Sequence, residues 1–87
     1  MRIRYHRDFE RGYQKLRREK QARVRERIAL FADDEFHPLL NNHPLTGKYS
    51  GLRSINVTGD WRAIFRGENG GVMEFVALGT HSQLYGK

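Results

Sequence analysis

The stretch LRSINVTGDWRAIFRGENGGVMEFVALG, residues 52–79, decides the fold, because it predicts three strands joined by two tight turns. The strands are predicted at Leu52–Val57, Trp61–Arg66 and Val72–Leu78. The intervening TGDW and GENGG segments predict turns, since glycine and asparagine tolerate the positive φ angles that tight hairpins require. The third strand is almost continuously apolar, which is typical of a strand buried on both faces.

Upstream of this stretch, apolar residues at helical spacing predict two amphipathic helices. The first follows Asp8, a good N-cap residue, and the boundary with the second is predicted near Arg18–Lys20. A single long, bent helix fits the same spacing. A short strand is predicted before the helices, because Ile3 and Tyr5 alternate with basic residues. The apolar positions at helical spacing are Phe9, Tyr13, Leu16, Val24, Ile28 and Phe31.

The order of these elements predicts an α+β fold in one domain, residues 1–87. An N-terminal strand and two helices are expected to pack on a small antiparallel sheet of about four strands. The helices would cover one face of this sheet. The other face would then lie open to a ligand.

Positive charge is concentrated at the start of the chain. Residues 1–27 contain 11 lysines and arginines against 4 acidic residues, a net charge of +7, whereas the other sixty residues have a net charge of −1. A basic segment on a near-neutral body indicates a polyanionic or an acidic protein partner. The alternative is a solvated helix face with intrahelical ion pairs such as Glu19–Arg23.

The composition excludes several classes of protein. The chain contains no cysteine, so a disulfide framework and thiolate metal sites are excluded. No apolar run approaches the roughly 18 residues that a membrane span needs, and the N-terminus lacks the apolar core of a signal peptide. The four histidines show no metal-ligand spacing, and no phosphate-binding glycine loop is present. We therefore expect a soluble, cytoplasmic protein with no metal, no cofactor and no membrane partner.

Three groups of residues could carry chemistry. Strand alternation places Trp61, Ala63 and Phe65 on one face, so Asp60 and Arg62 would project together from the open face; an ordinary surface ion pair is the alternative.

His81 and Tyr85, four residues apart, would share one face of a helical last turn, with Ser82 beside them. The alternative is a tyrosine that only anchors the C-terminus. His43 and Lys48 lie on the loop NNHPLTGKYSG.

Together these groups suit the cleavage of RNA. A neutral imidazole can take the proton of a ribose 2′-hydroxyl, and an imidazolium can return one to the leaving 5′-oxygen. A guanidinium can stabilise the charge that develops on the phosphate, and a tyrosine can stack on a base. No metal is needed for this chemistry.

The order and spacing of two segments resemble a known family. HPLTGKYSGLRSINVTGDWRAIFR, residues 43–66, and VMEFVALGTHSQLYG, residues 72–86, resemble the RelE/ParE superfamily of toxins from type II toxin–antitoxin systems, nearest its YafQ-like mRNA interferase branch. The segment RYHRDFERGYQK, residues 4–15, fits the first strand and helix of that family. The resemblance therefore covers essentially the whole chain.

This resemblance implies a RelE-like microbial RNase fold and a metal-free, ribosome-dependent endoribonuclease that cleaves messenger RNA by 2′-hydroxyl attack. It also implies a cognate antitoxin, with mRNA and the ribosome as the other partners. The catalytic residues carried over from the family are His43, Asp60, Arg62, His81 and Tyr85. The residues expected to contact RNA are Lys48, Asn56, Arg66, Ser82, Arg17, Arg18 and Lys20.

Two alternatives remain at this point. The first is an inactive toxin. YafQ-like sequences commonly carry a second histidine where Asn56 stands, and asparagine cannot transfer a proton. The other is a ParE-like, gyrase-targeting toxin or a non-catalytic relative that acts by binding protein, because the same fold serves both. Whether a histidine or Asp60 takes the 2′-proton is also open.

Overall fold

The computed structural model describes residues 1–86 and confirms the α+β fold. Two 3₁₀ turns, Pro38–Leu40 and Gly47–Tyr49, lie in the long segment between the second helix and the central hairpins. Within the described residues the strands and helices are β1 (Arg2–Tyr5), α1 (Arg7–Gln14), α2 (Arg18–Asp33), β2 (His43–Pro44), β3 (Arg53–Thr58), β4 (Trp61–Glu68), β5 (Val72–Thr80) and α3 (His81–Tyr85).

The sheet is larger than predicted and mixed rather than antiparallel. Within residues 1–86 it has five strands in the order β1-β5-β4-β3-β2, and β1 runs parallel to β5. The other neighbours are antiparallel, and β4 and β5 are both interior strands. The strand missed by periodicity is β2, because a two-residue strand has no alternation to detect.

The two helices are separate, so the single bent helix is excluded. α1 ends at Gln14 and α2 begins at Arg18, which places the break a few residues before the predicted one. The N-cap of α1 is His6, not Asp8, because the His6 Nδ1 atom accepts a 3.0 Å hydrogen bond from the Asp8 amide. The Asp8 carboxylate instead lies in the first turn, where the helix dipole favours negative charge.

The hydrophobic core lies between the helices and one sheet face. Phe31 of α2 packs edge-on against Phe65 and Phe75, with ring centroids 4.7 and 5.3 Å apart. Ala63 and Phe65 both belong to this core, and Trp61 packs at its margin, as strand alternation predicts. The pairing of β4 with β5 shifts between Ile64 and Phe65, where Val76 is an extra residue in β5, so Phe75 and Leu78 both face the core although they are three residues apart.

The second face of the sheet is only partly open, so the expectation of a fully open face is wrong. Ile64 and Ser54, which alternation places on this face, are fully buried. α3 turns back across β5, and its buried Leu84 packs over Gly79. The polar surface that remains beside α3 is the region around Arg62.

Candidate functional site

A cleft of about 460 Å³ opens on this second face, where the β2 segment, β4 and α3 meet. It brings together four of the five predicted catalytic side chains, although they come from distant parts of the sequence. The cleft is lined by Asn41, His43, Pro44, Leu45, Thr46, Arg62, His81 and Tyr85.

His43 is half-buried, and a main-chain contact favours one tautomer of its ring. β2 pairs with β3 opposite Ser54, which brings His43 to the sheet edge. The His43 Nδ1 atom lies 2.8 Å from the main-chain oxygen of Asn41. Because a carbonyl oxygen can only accept, this contact favours the neutral tautomer that has its proton on Nδ1 and its lone pair on Nε2. Asn41 reaches this position in the left-handed conformation, with a φ of 47°.

Arg62 is anchored by the turn that precedes β4. Its Nη1 group donates to the main-chain oxygens of Gly59 and Trp61, at 3.0 and 3.1 Å. The Nε and Nη2 groups take no part in these two bonds. Since the guanidinium is fixed beside the cleft by neutral acceptors, its positive charge is not neutralised by them.

Asp60 occupies the exposed turn beside Arg62, outside the lining of the cleft. Within residues 1–86 no ion pair joins Asp60 to Arg62. Its main-chain oxygen accepts a 2.9 Å hydrogen bond from the His81 amide. Asp60 therefore contributes to the position of α3 through its backbone.

α3 carries His81 and Tyr85 into the cleft. Thr80 caps the helix: its hydroxyl accepts from the Gln83 amide, and the Gln83 side chain accepts from the Thr80 amide, at 3.1 and 2.9 Å. The rings of His81 and Tyr85 lie 4.7 Å apart, one turn from each other.

Gly79 is the residue of β5 over which α3 packs. It lies inside β5, and a Cβ atom there would approach the Gln83 and Leu84 side chains at 3.1 and 3.3 Å. Gly79 thus makes room for α3 to pack on the strand.

The residues predicted to contact RNA fall into two groups, and the first lies near the cleft. Lys48 is exposed, with its ammonium 5.1 Å from the centre of the Tyr49 ring, and Ser82 is exposed on α3. Asn56 lies directly opposite Arg62 across β3 and β4. The Asn56 Oδ1 atom is buried and has no hydrogen-bond partner among the described residues.

The second group lies away from the cleft. Arg66 donates a 2.8 Å bond to Glu74 and is also near Glu68. The hydrogen bond from Arg66, together with the charges of Arg66, Arg4 and His6, lowers the pKa of Glu74 below its ordinary value, against the opposing effect of burial.

Arg17, Arg18 and Lys20 are exposed at the start of α2. Arg17 and Lys20 line a separate cleft, which Lys15, Trp61 and Gln83 share.

Sequence reasoning missed two residues that shape the site, Asn41 and Tyr49. Asn41 positions His43, and Tyr49 contacts Tyr85 edge-on, with 5.7 Å between ring centroids. Both lie within or beside the loop that was singled out for His43. The one signal in the sequence for Asn41 was its residue type, because asparagine adopts positive φ angles more readily than most residues. For Tyr49, a contact 36 residues away in the sequence left no local signal.

The described residues contain neither a metal-binding cluster nor a membrane-spanning helix. In residues 1–86 no three histidine, aspartate or glutamate side chains lie together so as to hold a metal ion. No helix in this part of the chain is both long and apolar enough to cross a membrane.

The family model for the YafQ toxin, a bacterial toxin of type II toxin–antitoxin systems, matches residues 1–86. No curated protein sequence matches the chain significantly.

Solved structures share the fold at low identity. YafQ from Escherichia coli BL21(DE3) superposes with a TM-score of 0.79 at 20% identity, covering 98% of this chain and 99% of that one. A YoeB/ParE toxin from Agrobacterium tumefaciens gives 0.76 at 20% identity, covering 93% and 99%. An E. coli DinJ–YafQ complex gives 0.75 at 24% identity, covering 98% and 99%.

Proposed function

This chain belongs to the YafQ family of bacterial toxins of type II toxin–antitoxin systems, and we propose that it is an endoribonuclease that cleaves messenger RNA on the ribosome without a metal ion. The observation that carries this proposal is the convergence of His43, Arg62, His81 and Tyr85 on one cleft. Two imidazoles can act as the base and the acid in 2′-hydroxyl attack on a phosphodiester, a guanidinium can stabilise the charge on the phosphate, and a phenol can stack on a base.

We assign His43 as the general base. Its Nε2 lone pair takes the proton of the 2′-hydroxyl, and the 2′-oxygen attacks the adjacent phosphorus. The bond from phosphorus to the 5′-oxygen breaks, and the His81 imidazolium donates a proton to that oxygen. The products are a 2′,3′-cyclic phosphate and a 5′-hydroxyl. The support for this assignment is the Asn41 carbonyl, which favours the tautomer of His43 that has its proton on Nδ1.

The other residues of the cleft support this reaction. Arg62 stabilises the charge on the phosphate, and Tyr85 stacks on a base next to the scissile bond. Asp60 orients His81, since its carbonyl accepts from the His81 amide. We also assign Lys48, Asn56 and Ser82, which lie near the cleft but do not line it, to contact with the RNA.

We further assign the basic start of α2 to ribosomal RNA. Lys15, Arg17 and Lys20 share a cleft with the Trp61 indole, and Arg18 is exposed beside them. Such clusters bind phosphates electrostatically, whatever the sequence. Arg66 is assigned to the fold instead, because Glu74 already engages its guanidinium.

We also propose a cognate antitoxin that docks an apolar, acid-flanked helix between β1, α1 and α2. An apolar groove there is lined by Ile3, Phe9 and Ile28, with the exposed Arg25 at its rim. The DinJ–YafQ complex supports an antitoxin for this fold. Replacing the exposed Ala29 in this groove with arginine should block neutralisation by the co-expressed antitoxin while growth inhibition persists. Full neutralisation of A29R would place the antitoxin elsewhere.

Primer extension on a reporter message tests the enzymatic proposal. Cuts should appear after brief induction of the wild type, only while the message is translated, and should disappear with His81→Asn. His37→Asn is the matched control: it makes the same substitution outside the cleft, and asparagine keeps the capping role of His37. Growth arrest without any cuts, accompanied by loss of DNA supercoiling, would instead establish a gyrase-directed toxin.

A further inference from the structure

The cleft is assembled from two segments that are far apart in the sequence. His43 enters on the β2 segment, which continues into the 3₁₀ turn Gly47–Tyr49. His81 and Tyr85 enter on α3, at the other end of the chain. In-line cleavage requires the two imidazoles on opposite sides of the phosphate, so the spacing between these segments matters.

Tyr49 connects the two segments. Its hydroxyl donates a 3.0 Å hydrogen bond to the main-chain oxygen of Leu84, and its ring packs edge-on against Tyr85. Among the hydrogen bonds of residues 1–86, this one joins the Gly47–Tyr49 turn to α3. The Lys48 ammonium lies 5.1 Å from the centre of the same ring.

The bond from Tyr49 serves a need of α3 itself. A helix leaves its last four carbonyl groups without intrahelical partners, and α3 has only five residues. The Thr80 capping box fixes its first turn, and the Leu84 side chain is buried below it. The Tyr49 hydroxyl satisfies a carbonyl of the last turn, next to Tyr85.

We propose that Tyr49 is a positioning residue, which sets the place of His81 and Tyr85 relative to His43. This inference rests on the proposed ribonuclease function. Tyr49 need not touch the substrate; it acts through the hydrogen bond to α3 and through edge contact with Tyr85. Loss of the hydroxyl alone should loosen the last turn of α3 while the aromatic packing remains.

Kinetics with a message on purified ribosomes test this role. Tyr49→Phe should lower kcat about tenfold with little change in KM, because misplacement weakens the chemical step rather than binding. Tyr49→Leu, which also loses the aromatic ring, should lower kcat further. Ile55→Val is the control for lost stability, since Ile55 is buried in the core on the opposite face of the sheet. Its kcat should stay at the wild-type value.

A second readout does not depend on catalysis. In ¹⁵N and ¹³C NMR spectra, Tyr49→Phe should speed amide exchange at the end of α3 and shift the His81 ring signals, whereas Ile55→Val should not. Unchanged α3 exchange and His81 signals in Tyr49→Phe would overturn the positioning role. If the wild type cuts no RNA, the proposed function fails, and these spectra still decide the role of Tyr49.

Discussion

At the scale of single residues, the cross-strand neighbour decides what each arginine of β4 does. Arg62 and Arg66 lie four apart on one strand and share a face, so alternation treats them alike. Arg62 faces Gly79, which has no side chain, whereas Arg66 faces Glu74, whose carboxylate binds it. The Arg62 guanidinium therefore remains beside the cleft, whereas Arg66 pairs with Glu74 within the sheet.

A matched pair of substitutions tests this difference. Arg62→Lys should lower RNA cleavage about 100-fold, because lysine cannot keep the planar donor geometry that stabilises the phosphate, and stability should hardly change. Arg66→Lys should leave cleavage near the wild-type rate. Cleavage assays and urea unfolding of both variants provide the measurement. Equal losses of cleavage would show that Arg66 also contacts the RNA.

The pKa of Glu74 predicts how stability depends on pH. A carboxyl group whose pKa is lower in the folded state stabilises the fold above its ordinary pKa of 4.5, and this contribution is lost as the pH falls through the folded-state value. Glu74→Gln should therefore be less stable than the wild type at pH 7, and the two should converge in acid. Urea unfolding of both proteins at pH 7 and at acidic pH measures the difference in their free energies of unfolding. A constant difference would contradict the ion-pair explanation.

At the scale of elements, close approach of backbones determines how α1 lies on the sheet. Gly12 faces β5 so closely that an added Cβ atom would lie 2.8 Å from the main-chain oxygen of Leu78. No flexible side chain can move to relieve that contact. The helix can pack in this position only because the residue is glycine.

Gly12→Ala should therefore destabilise the protein, although alanine is the better helix former. Its intrinsic gain in a helix interior is about 1 kcal/mol, whereas forcing α1 away from β5 costs about 1–3 kcal/mol. Urea unfolding measures the balance. Gln14→Ala, at an exposed position near the end of α1, provides the control and should change stability little. A Gly12→Ala variant more stable than wild type would contradict the packing argument.

At the scale of the whole molecule, the basic surface at the start of α2 is separate from the cleft that contains His43, Arg62 and His81. This basic surface and the cleft proposed to cleave RNA meet near α3, since Gln83 lines the first and Tyr85 the second. An RNA whose phosphates bind the first surface would lie beside the second. Electrostatic attraction and bond cleavage can then be altered independently.

The salt dependence of ribosome binding tests this separation. The triple variant Lys15→Gln, Arg17→Gln and Lys20→Gln should reduce the slope of log affinity against log salt concentration by about 2, since each lost phosphate contact removes roughly 0.7–0.9. A triple variant with the same change in charge, at the exposed residues Arg7, Arg11 and Arg23, should change the slope less. Equal changes would mean that net charge alone matters.

Sequence patterns predicted what depends on near neighbours. The three central strands and two turns followed from alternation and glycine, and Gly59, Gly70 and Gly71 do have positive φ angles. The helical spacing predicted α1 and α2 to within a few residues. The start of α1 was predicted wrongly, because His6 and not Asp8 is its N-cap.

By itself the sequence determined the α+β class, the family resemblance and the residue types available for catalysis, because each rests on local patterns or on ordered motifs. Tertiary structure alone decided the parallel pairing of β1 with β5, the short β2 and the packing of α3 over Gly79. It also distinguished Arg62 from Arg66 and revealed Tyr49. The physical reason is the same in each case: these contacts join residues far apart in the chain, whose pairing depends on strand register and on available space.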